Sequence, residues 1–236
     1  MRVLLTRPRP DSEETARLLA AQNIETVIAP LIEISDIPGA APDLEDVQAL
    51  LVTSANGARA LARATARRDL PLFAVGDASA AAAAESGFSK VTSANGDVAA
   101  LAAVVRDQLS PENGALFHAA GSVVAGDLAG DLTAAGFEVR RAQLYSAQTA
   151  GRLPEVARRA LNDSAVDAAL FYSPRTAAQF AKLVESAGLA ANCQHLIAVC
   201  LSATVAETLT SLPFYGVRVA ATANQAALFA ALTRDN

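Results

Sequence analysis

Short apolar runs alternate with amphipathic stretches along most of this chain. The clearest run is Leu50–Leu51–Val52, which ends at Thr53–Ser54 and is followed by apolar residues at helical spacing, among them Ala58 and Leu61. This succession is typical of a buried strand, a polar turn and a helix. Because the pattern recurs, we predict an α/β protein with parallel sheets that helices cover on both faces.

The same reasoning gives bounds for the other elements. Pro30 interrupts the second predicted strand, Asp11 and Ser12 are candidate caps of the first helix, and 119–121 is a predicted turn. The predicted strands cover residues 3–5, 25–34, 49–53, 72–75, 90–92, 115–118, 138–147, 168–172, 196–200 and 217–221. The predicted helices cover residues 11–22, 56–67, 78–86, 97–109, 122–135, 154–161, 176–187, 202–210 and 224–233.

The order of these elements contains an internal repeat that is circularly shifted. Residues 49–61 resemble residues 168–180, and the strands at residues 3–5 and 25–28 match those at 115–117 and 138–141. We therefore predict a discontinuous lobe of residues 1–30 and 150–236, a lobe of residues 38–141, and two antiparallel linker strands, 30–37 and 142–149. The alternative is one doubly wound sheet of about ten strands, which the shifted repeat disfavours.

Composition narrows the class of protein. The 236 residues carry a formal net charge of −5, which argues against a broad nucleic-acid surface. The only two cysteines, Cys193 and Cys200, suggest a reducing compartment rather than a disulfide framework. No signal peptide is evident, and no apolar segment approaches the roughly 20 residues of a membrane span. We expect a cytoplasmic protein with no membrane partner.

Small and polar residues follow the predicted strands. Because the ends of parallel strands meet at one edge, and helix N-termini there can hold anions, we predict a cleft between the lobes for a ligand with many negative charges. The alternative is that these residues only cap helices, and that the arginines are ordinary surface residues. The residues are Thr53, Ser54, Gly76, Ser79, Gly121 and Ser122 in the lobe of residues 38–141, and Thr6, Arg7, Ser173, Arg175, Ser202 and Thr204 in the other lobe.

Other candidate chemistry is sparse. Tyr145 lies in a predicted linker strand, where it could bind a ligand, donate a proton or simply pack against the hinge. His118 and His195 have no further ligands at metal-binding spacing, so no metal site is predicted. Residues 121–126 have the glycine spacing of a P-loop, but Asp127 stands where the lysine is needed.

The chain resembles the uroporphyrinogen-III synthase family. The resemblance extends over nearly the whole sequence, and the matching segments keep the family's order and spacing. These segments are Thr6–Arg7–Pro8, Val52–Thr53–Ser54–Ala55–Asn56–Gly57, Ala74–Val75–Gly76, Gln143–Leu144–Tyr145, Phe171–Tyr172–Ser173–Pro174 and Ala198–Val199.

The resemblance implies two flavodoxin-like lobes joined by a two-stranded antiparallel linker, with the active site between them. It implies conversion of hydroxymethylbilane to uroporphyrinogen III, with loss of water, ring closure and inversion of ring D. It implies no metal or organic cofactor, no nucleic acid, a monomer, and a transient contact with the preceding enzyme of the pathway. The eight carboxylates of this substrate agree with a cleft of amides, hydroxyls and a few arginines.

The resemblance also suggests roles for individual residues. Tyr145 matches a tyrosine thought to assist departure of the hydroxyl group, and Ser79 stands where the family has a threonine. Thr53, Ser54 and Ser173 match turn residues that contact substrate. The turn with Cys200 and Ser202 departs from the family pattern, because Cys200 replaces a glycine and Ala203 replaces a threonine. This departure leaves a non-catalytic, two-lobed binding protein for a polycarboxylate or tetrapyrrole as the alternative function.

Overall fold

A computed structural model describes residues 1–122 and 126–233 of the chain. The chain divides into two compact units. Unit 1 consists of Met1–Glu33 and Gln148–Asn236, and unit 2 is Ile34–Ala147. Each unit contains one sheet with its own helices, so the two are described in turn.

The elements alternate along the chain as the hydrophobic pattern predicts. The strands are β1 (Arg2–Leu5), β2 (Glu25–Ile28), β3 (Ile32–Asp36), β4 (Val47–Val52), β5 (Leu72–Ala74), β6 (Val91–Ser93), β7 (Ala115–Gly121), β8 (Val139–Thr149), β9 (Ala168–Phe171), β10 (Ile197–Cys200) and β11 (Gly216–Val219). The α-helices are α1 (Arg9–Ala20), α2 (Ala55–Ala64), α3 (Asp77–Glu85), α4 (Val98–Gln108), α5 (Leu128–Ala134), α6 (Glu155–Asn162), α7 (Pro174–Ser186), α8 (Ala203–Glu207) and α9 (Gln225–Thr233). Short 3-10 helices cover Pro111–Asn113 and Ala190–Cys193.

The sheet of unit 1 has the strand order β2-β1-β9-β10-β11, and its neighbouring strands are parallel. Val3–Leu5 pairs with Ala168–Leu170, so the first strand of the chain lies beside a strand from its last third. Numbered within the unit, this order is 2-1-3-4-5, which is the flavodoxin-like arrangement.

The sheet of unit 2 has the order β3-β8-β7-β4-β5-β6. From β8 to β6 its strands are parallel, and the order is again 2-1-3-4-5 once β7 is counted first. The two units therefore share a topology but begin it at different strands, as the circularly shifted repeat predicts. The predicted α/β class with parallel sheets is confirmed.

Strand β3 is the antiparallel edge of the second sheet. Ala150 N–H donates to the Leu31 carbonyl and Ile37 N–H to the Leu144 carbonyl, both at 2.9 Å. From the first pair to the second, the residue number rises along β3 and falls along β8, so the two strands are antiparallel. The boundary between the units falls within β3 and within β8.

Both faces of the sheets are apolar, which explains the continuous hydrophobic runs in the sequence. In β4, Leu50 and Val52 pack into one buried cluster, whereas Ala49 and Leu51 pack into another. Successive side chains of a strand point to opposite faces, so one run of four residues contributes to two cores.

Two predicted helix starts were wrong. Helix α1 begins at Arg9, with Pro8 at its N-cap. Pro10 lies within the first helical turn, where a proline is tolerated because the N–H it lacks would have no partner in the helix. Asp11 and Ser12 are therefore not caps but buried residues of that first turn, and the Ser12 hydroxyl donates to the Arg7 carbonyl at 2.9 Å.

The other wrong start lies after β7. Residues 119–121 form no turn but continue the strand to Gly121, and helix α5 begins only at Leu128, not at Ser122. The carboxylate of Asp127 caps α5 by accepting from Gly130 N–H at 3.0 Å. The predicted helix residues 123–125 lie outside the described part of the chain. The predicted strand 25–34 is also two strands, broken around Pro30, which has no N–H for a ladder.

Candidate active site

Register brings the predicted site residues of unit 2 to one edge of its sheet. Val52, the last residue of β4, pairs with Ala74 of β5 on one side and with Ala119 of β7 on the other. Gly121, two residues further along β7, pairs with Tyr145 of β8. The turn after β4, the turn after β5, the end of β7 and Tyr145 are therefore neighbours along this edge.

A short polar contact at this edge joins Ser54 to Tyr145. Ser54 is the N-cap of α2, and its Oγ accepts the Gly57 N–H at 2.9 Å. The same Oγ lies 2.8 Å from Oη of Tyr145, a residue 91 positions away in the sequence. Tyr145 is 7% exposed and packs into the cluster that contains Val52 and Leu144. The phenol is thus held at both ends, by apolar packing and by one hydroxyl.

Gly121 gives the Tyr145 ring its space. A Cβ at position 121 would overlap the ring, falling 2.7 Å from both Cε2 and Oη and closer still to Cζ. No real Cβ contact is this short, so an alanine at this position forces the ring or the strand to move. The backbone of Gly121 is extended, so the glycine is needed for this close approach and not for its conformation.

Thr53 lies beside a buried histidine. The Thr53 hydroxyl is 3.5 Å from Nε2 of His118, which is 1% exposed on β7. Burial lowers the pKa of His118 to about 4, and the positive charge of Arg141 acts in the same direction. The imidazole is therefore neutral at physiological pH, and His118 is a packed residue of the sheet.

The remaining predicted residues of unit 2 differ in exposure. Gly76 is the N-cap of α3, and Ser79 is buried in the first turn of that helix, where its N–H donates to the Gly76 carbonyl at 3.0 Å. Ser122 is exposed directly after β7, and its hydroxyl accepts the Ala147 N–H at 3.1 Å. Ser122 therefore fastens β7 to the far end of β8 and does not begin a helix.

In unit 1, the turn after β1 has a cation held over an aromatic ring. The Arg7 guanidinium lies 4.2 Å from the centre of the Tyr172 ring. It also contacts the Gln225 side-chain carbonyl at 3.4 Å and the Asp11 carboxylate at 3.8 Å. The arginine predicted from sequence is thus oriented by three partners, and none of these contacts was predicted.

Thr6 and Tyr172 are the hydroxyl-bearing residues next to this arginine, Thr6 in sequence and Tyr172 through its ring. Thr6 is 1% exposed, and its hydroxyl donates to the Leu170 carbonyl at 3.1 Å. The Tyr172 hydroxyl donates to Gln225 at 3.5 Å, and burial raises its pKa although Arg7 opposes the shift. Because the only O–H donor of Thr6 is used by the Leu170 carbonyl, Thr6 stabilises the pairing of β1 with β9 as well as being a candidate substrate contact.

Ser173 occupies the position in unit 1 that Ser54 has in unit 2. It is the N-cap of α7, accepting the Thr176 N–H at 3.3 Å, and its hydroxyl lies 2.9 Å from the Thr176 hydroxyl. Arg175 is exposed in the first turn of the same helix. Ser202 caps α8 by accepting the Val205 N–H at 3.4 Å, and Thr204 is exposed one residue inside that helix.

Cys200 was expected in a substrate-binding turn, where it replaces a glycine of the family. Its side chain is fully buried in the core cluster of unit 1, and its carbonyl accepts the Ala220 N–H at 2.9 Å. Burial raises the pKa of the Cys200 thiol to about 12 and that of Cys193 to about 11. Both thiols are packing groups, because strand β10 turns Cys200 inward and Cys193 is buried at the end of its 3-10 helix.

The sequence matches the family model described as uroporphyrinogen-III synthase HemD over residues 13–230. This match covers nearly the whole chain and both units.

The chain belongs to the uroporphyrinogen-III synthase family.

Solved structures agree with the fold. The chain is similar to uroporphyrinogen-III synthetase from Helicobacter pylori, with a TM-score of 0.62, 17% identity, and coverage of 98% of this chain and 97% of that one. A mutant synthase from Thermus thermophilus has 18% identity, a TM-score of 0.49 and 92% coverage of each chain. Another Thermus thermophilus synthase structure has 18% identity, a TM-score of 0.43, and coverage of 99% and 98%. No curated protein matches the sequence. At this identity the Helicobacter likeness shows a shared fold.

In this member of the uroporphyrinogen-III synthase family, the two units carry different polar groups at their strand ends. The strand-end turns of unit 2 that hold its predicted site residues after β4 and β5, residues 53–57 and 75–79, contain no lysine or arginine. In unit 1 the corresponding turns contain Arg7 and Arg175. Unit 2 thus offers a phenol, hydroxyls and helix N–H groups, whereas unit 1 adds cations suited to carboxylates.

Two further features of this synthase-family chain concern ligands and membranes. Within residues 1–122 and 126–233, no cluster of three or more His, Cys, Asp or Glu side chains could hold a metal ion. Over the same residues, every helix is too short or too polar to cross a membrane.

Proposed function

We propose that this chain is a uroporphyrinogen-III synthase that converts hydroxymethylbilane to uroporphyrinogen III in porphyrin and heme biosynthesis. The family match over residues 13–230 carries this proposal. The polar strand-end turns of both units agree with a substrate that has eight carboxylates.

Tyr145 is the proposed catalytic residue. The carbon–oxygen bond of the hydroxymethyl group breaks, the electron pair leaves with the oxygen, and a proton from the phenol completes the departing water. The substrate is left as an electron-poor azafulvene. The carbon that lost the hydroxyl group then bonds to the α-carbon of ring D that already carries a bridge. The old bond from that α-carbon to its bridge breaks, and the freed bridge carbon bonds to the other α-carbon, so ring D is inverted. This last carbon loses a proton, which restores the phenol, so no oxidant or further reactant is consumed. General acid catalysis of this kind is worth about 10²- to 10⁴-fold in rate.

The carboxylates are bound by cations and helix N-termini. Arg7 is already oriented by Tyr172 and Gln225, so little side-chain entropy is lost when a carboxylate binds it. Arg175 supplies a second cation beside the N-terminus of α7. In unit 2, Thr53, Gly76 and Ser79 lie at turns whose first helical N–H groups can donate to a carboxylate.

The deciding experiment is an isomer assay. Purified protein is supplied with enzymatically made hydroxymethylbilane, and the products are oxidised and separated by chromatography. We expect the type III isomer in excess of the type I isomer that forms without catalysis. If only the type I isomer appears, the proposal is wrong.

The role of Tyr145 is tested by Tyr145→Phe. The phenylalanine keeps the packing but removes the hydroxyl that Ser54 contacts, so we expect kcat to fall about a hundredfold, at the lower end for general acids. The melting temperature should change little in comparison. Unchanged turnover in a folded variant would remove this residue from the mechanism.

A non-catalytic binding protein was the alternative that Cys200 and Ala203 suggested. The Cys200 side chain lies in the core of unit 1, so it does not block a ligand at this turn, and this part of the argument for a non-catalytic protein is weakened. The isomer assay separates the two functions directly. A cytoplasmic location, a monomeric state and contact with the preceding enzyme stay predictions.

A further inference from the structure

We propose that Ser54 is a positioning residue for Tyr145. Its hydroxyl holds the phenol in place, so that of the two protons on the Ser54 and Tyr145 hydroxyls one always points to the substrate. This inference rests on the proposed function, because it gives Ser54 a purpose within that reaction. It differs from the role expected from sequence, in which Ser54 contacts substrate by itself.

The argument begins with the hydrogen-bonding capacity of one hydroxyl. A serine hydroxyl has one donor and two acceptor sites. At Ser54 one acceptor site is taken by the Gly57 N–H at 2.9 Å, and the contact with Tyr145 Oη at 2.8 Å takes a second site. The backbone bond fixes Oγ at the helix start, so the serine cannot turn away from the phenol without losing its cap.

The ring is fixed as firmly as the hydroxyl. Gly121 lies against one part of the Tyr145 ring so closely that a Cβ does not fit. A Cβ at Gly57 would lie 3.9 Å from Cε1 of the ring and 3.1 Å from the Ala119 carbonyl. The close approach of Gly121 and the cap at Ser54 therefore define the position of Oη, which is what general acid catalysis requires of its proton donor.

The number of protons on the two hydroxyls explains how Ser54 can assist Tyr145. The two hydroxyls carry two protons, and their mutual hydrogen bond uses one. When Ser54 donates to Oη, the Tyr145 proton is left for the departing hydroxyl group. After that proton has moved, the Ser54 hydroxyl still donates to the phenolate oxygen, and such a charge-assisted bond is stronger than the neutral one. The Gly57 N–H polarises the serine further in the same direction.

The internal repeat supplies a comparison within the chain. Ser173 stands at the matching N-cap of unit 1, but its hydroxyl lies 2.9 Å from Thr176 Oγ1, the side chain of its own helix. The same cap thus pairs with a local residue in one unit and with a tyrosine from a distant strand in the other. We infer that the pairing with Tyr145 is a specific feature of unit 2.

A double-mutant cycle tests the assignment. If Ser54 acts through Tyr145, Ser54→Ala lowers kcat about tenfold with an unchanged KM, as expected for one hydrogen bond. In a Tyr145→Phe background the same change then has no further effect on kcat, because there is no phenol to position. Ser54→Thr keeps the cap and the hydroxyl, so it restores most of the activity.

The control is another helix cap of the same unit. Asp97 caps α4 by accepting the Ala100 N–H at 2.9 Å, so Asp97→Ala costs a cap without touching Tyr145. We expect it to lower the melting temperature much as Ser54→Ala does and to leave kcat unchanged. A rise in KM for Ser54→Ala, or additive losses of kcat in the double variant, would overturn the proposal in favour of a direct substrate contact.

A spectroscopic readout makes the test independent of activity. The chain has three tyrosines, so tyrosine labelled with ¹³C at Cζ gives three signals that Tyr→Phe variants assign. We expect Ser54→Ala to shift the Tyr145 signal alone and Asp97→Ala to shift none. If the wild type makes no type III isomer but the shift is seen, the proposed function fails while the positioning contact stands. An unshifted Tyr145 signal refutes the positioning.

Discussion

Polar side chains that are buried in this chain are mostly tied to a neighbouring backbone or hydroxyl group. Thr6 donates to the Leu170 carbonyl, Thr15 donates to the Asp11 carbonyl at 2.7 Å, and Ser12 donates to the Arg7 carbonyl. His118 differs, because among the described residues its Nδ1 is a buried atom with no hydrogen-bond partner. An unpartnered buried nitrogen is costly once it must carry a charge, and this makes His118 sensitive to acid.

We predict that His118 destabilises the protein in mild acid. Its pKa is about 4 in the folded chain and near 6.5 when exposed, so between these values the unfolded chain binds a proton that the folded chain does not. The free energy of unfolding is therefore unaffected by His118 above pH 6.5, and it falls by about 3 kcal/mol as the pH drops to 4. Urea unfolding of the wild type and of His118→Gln at several pH values measures the difference.

The control for this prediction is the other histidine. His195 is exposed, so His195→Gln replaces a histidine that is not buried in a sheet and is the comparison variant for His118→Gln. Carboxylates contribute equally to all three proteins and cancel. An identical pH dependence for wild type and His118→Gln would contradict the assignment.

The cysteines give a second prediction at the residue scale. Cys193 and Cys200 are fully buried, and burial raises the pKa values of their thiols to about 11 and about 12. The reactive thiolate is therefore scarce at pH 8. A colorimetric thiol reagent should titrate no cysteine in the native protein and both after denaturation. Rapid reaction of one thiol in native protein would show that its pocket opens.

The sequence predicts the residues of the site better than their partners. Ser54 was selected from its position at a strand end and Tyr145 from its position in a predicted linker strand, but their hydrogen bond joins residues 91 positions apart. It depends on the bulge in β7–β8 pairing near Gly121, which no local pattern encodes. The contact between Arg7 and Gln225, 218 positions apart, was missed for the same reason.

At the scale of elements, the end of β7 determines where Tyr145 sits. The prediction from local sequence placed a turn there, since Ala119–Ala120–Gly121–Ser122 has small and polar residues. The structure continues the strand because Ala119, Ala120 and Gly121 find partners on β8. Long-range pairing outweighs local turn propensity at this position. By contrast, β4, β9 and β10 lie within one or two residues of their predicted bounds, because their apolar runs are bounded by clear turn residues.

We predict that Gly121→Ala displaces Tyr145. The added methyl overlaps the ring, so the unfolding free energy should fall by about 1 to 3 kcal/mol and kcat should fall with it. Chemical denaturation and the isomer assay measure the two effects. Gly151→Ala is the matched control, because nothing lies within 4 Å of a Cβ there, and it should change stability by less than about 0.5 kcal/mol. Wild-type turnover in Gly121→Ala would show that the ring tolerates the methyl.

At the scale of the whole molecule, the chain builds the same topology twice from different starting points. Unit 2 is continuous in sequence and begins its order at the third strand, whereas unit 1 is interrupted between β2 and β9. The described members of each hydrophobic cluster come from a single unit. The sequence predicts the circular shift because matching strand–turn–helix segments recur in a changed order. The hydrophobic pattern alone could not distinguish two shifted sheets from one large sheet.

The ladder between β3 and β8 shows where unit 2 can be removed. Leu31 pairs with Ala150 and Ile37 with Leu144, which sets Glu33 opposite Gln148 at the boundary of the units. Opposed antiparallel residues can be joined by a two-residue Asn-Gly turn. We therefore predict that a chain lacking residues 34–147, with this turn between Glu33 and Gln148, folds with cooperative thermal unfolding by circular dichroism. The same deletion with Leu170→Asp, in the fully buried β9, should not fold. A gradual transition in the first chain would mean that unit 1 depends on unit 2 for its stability.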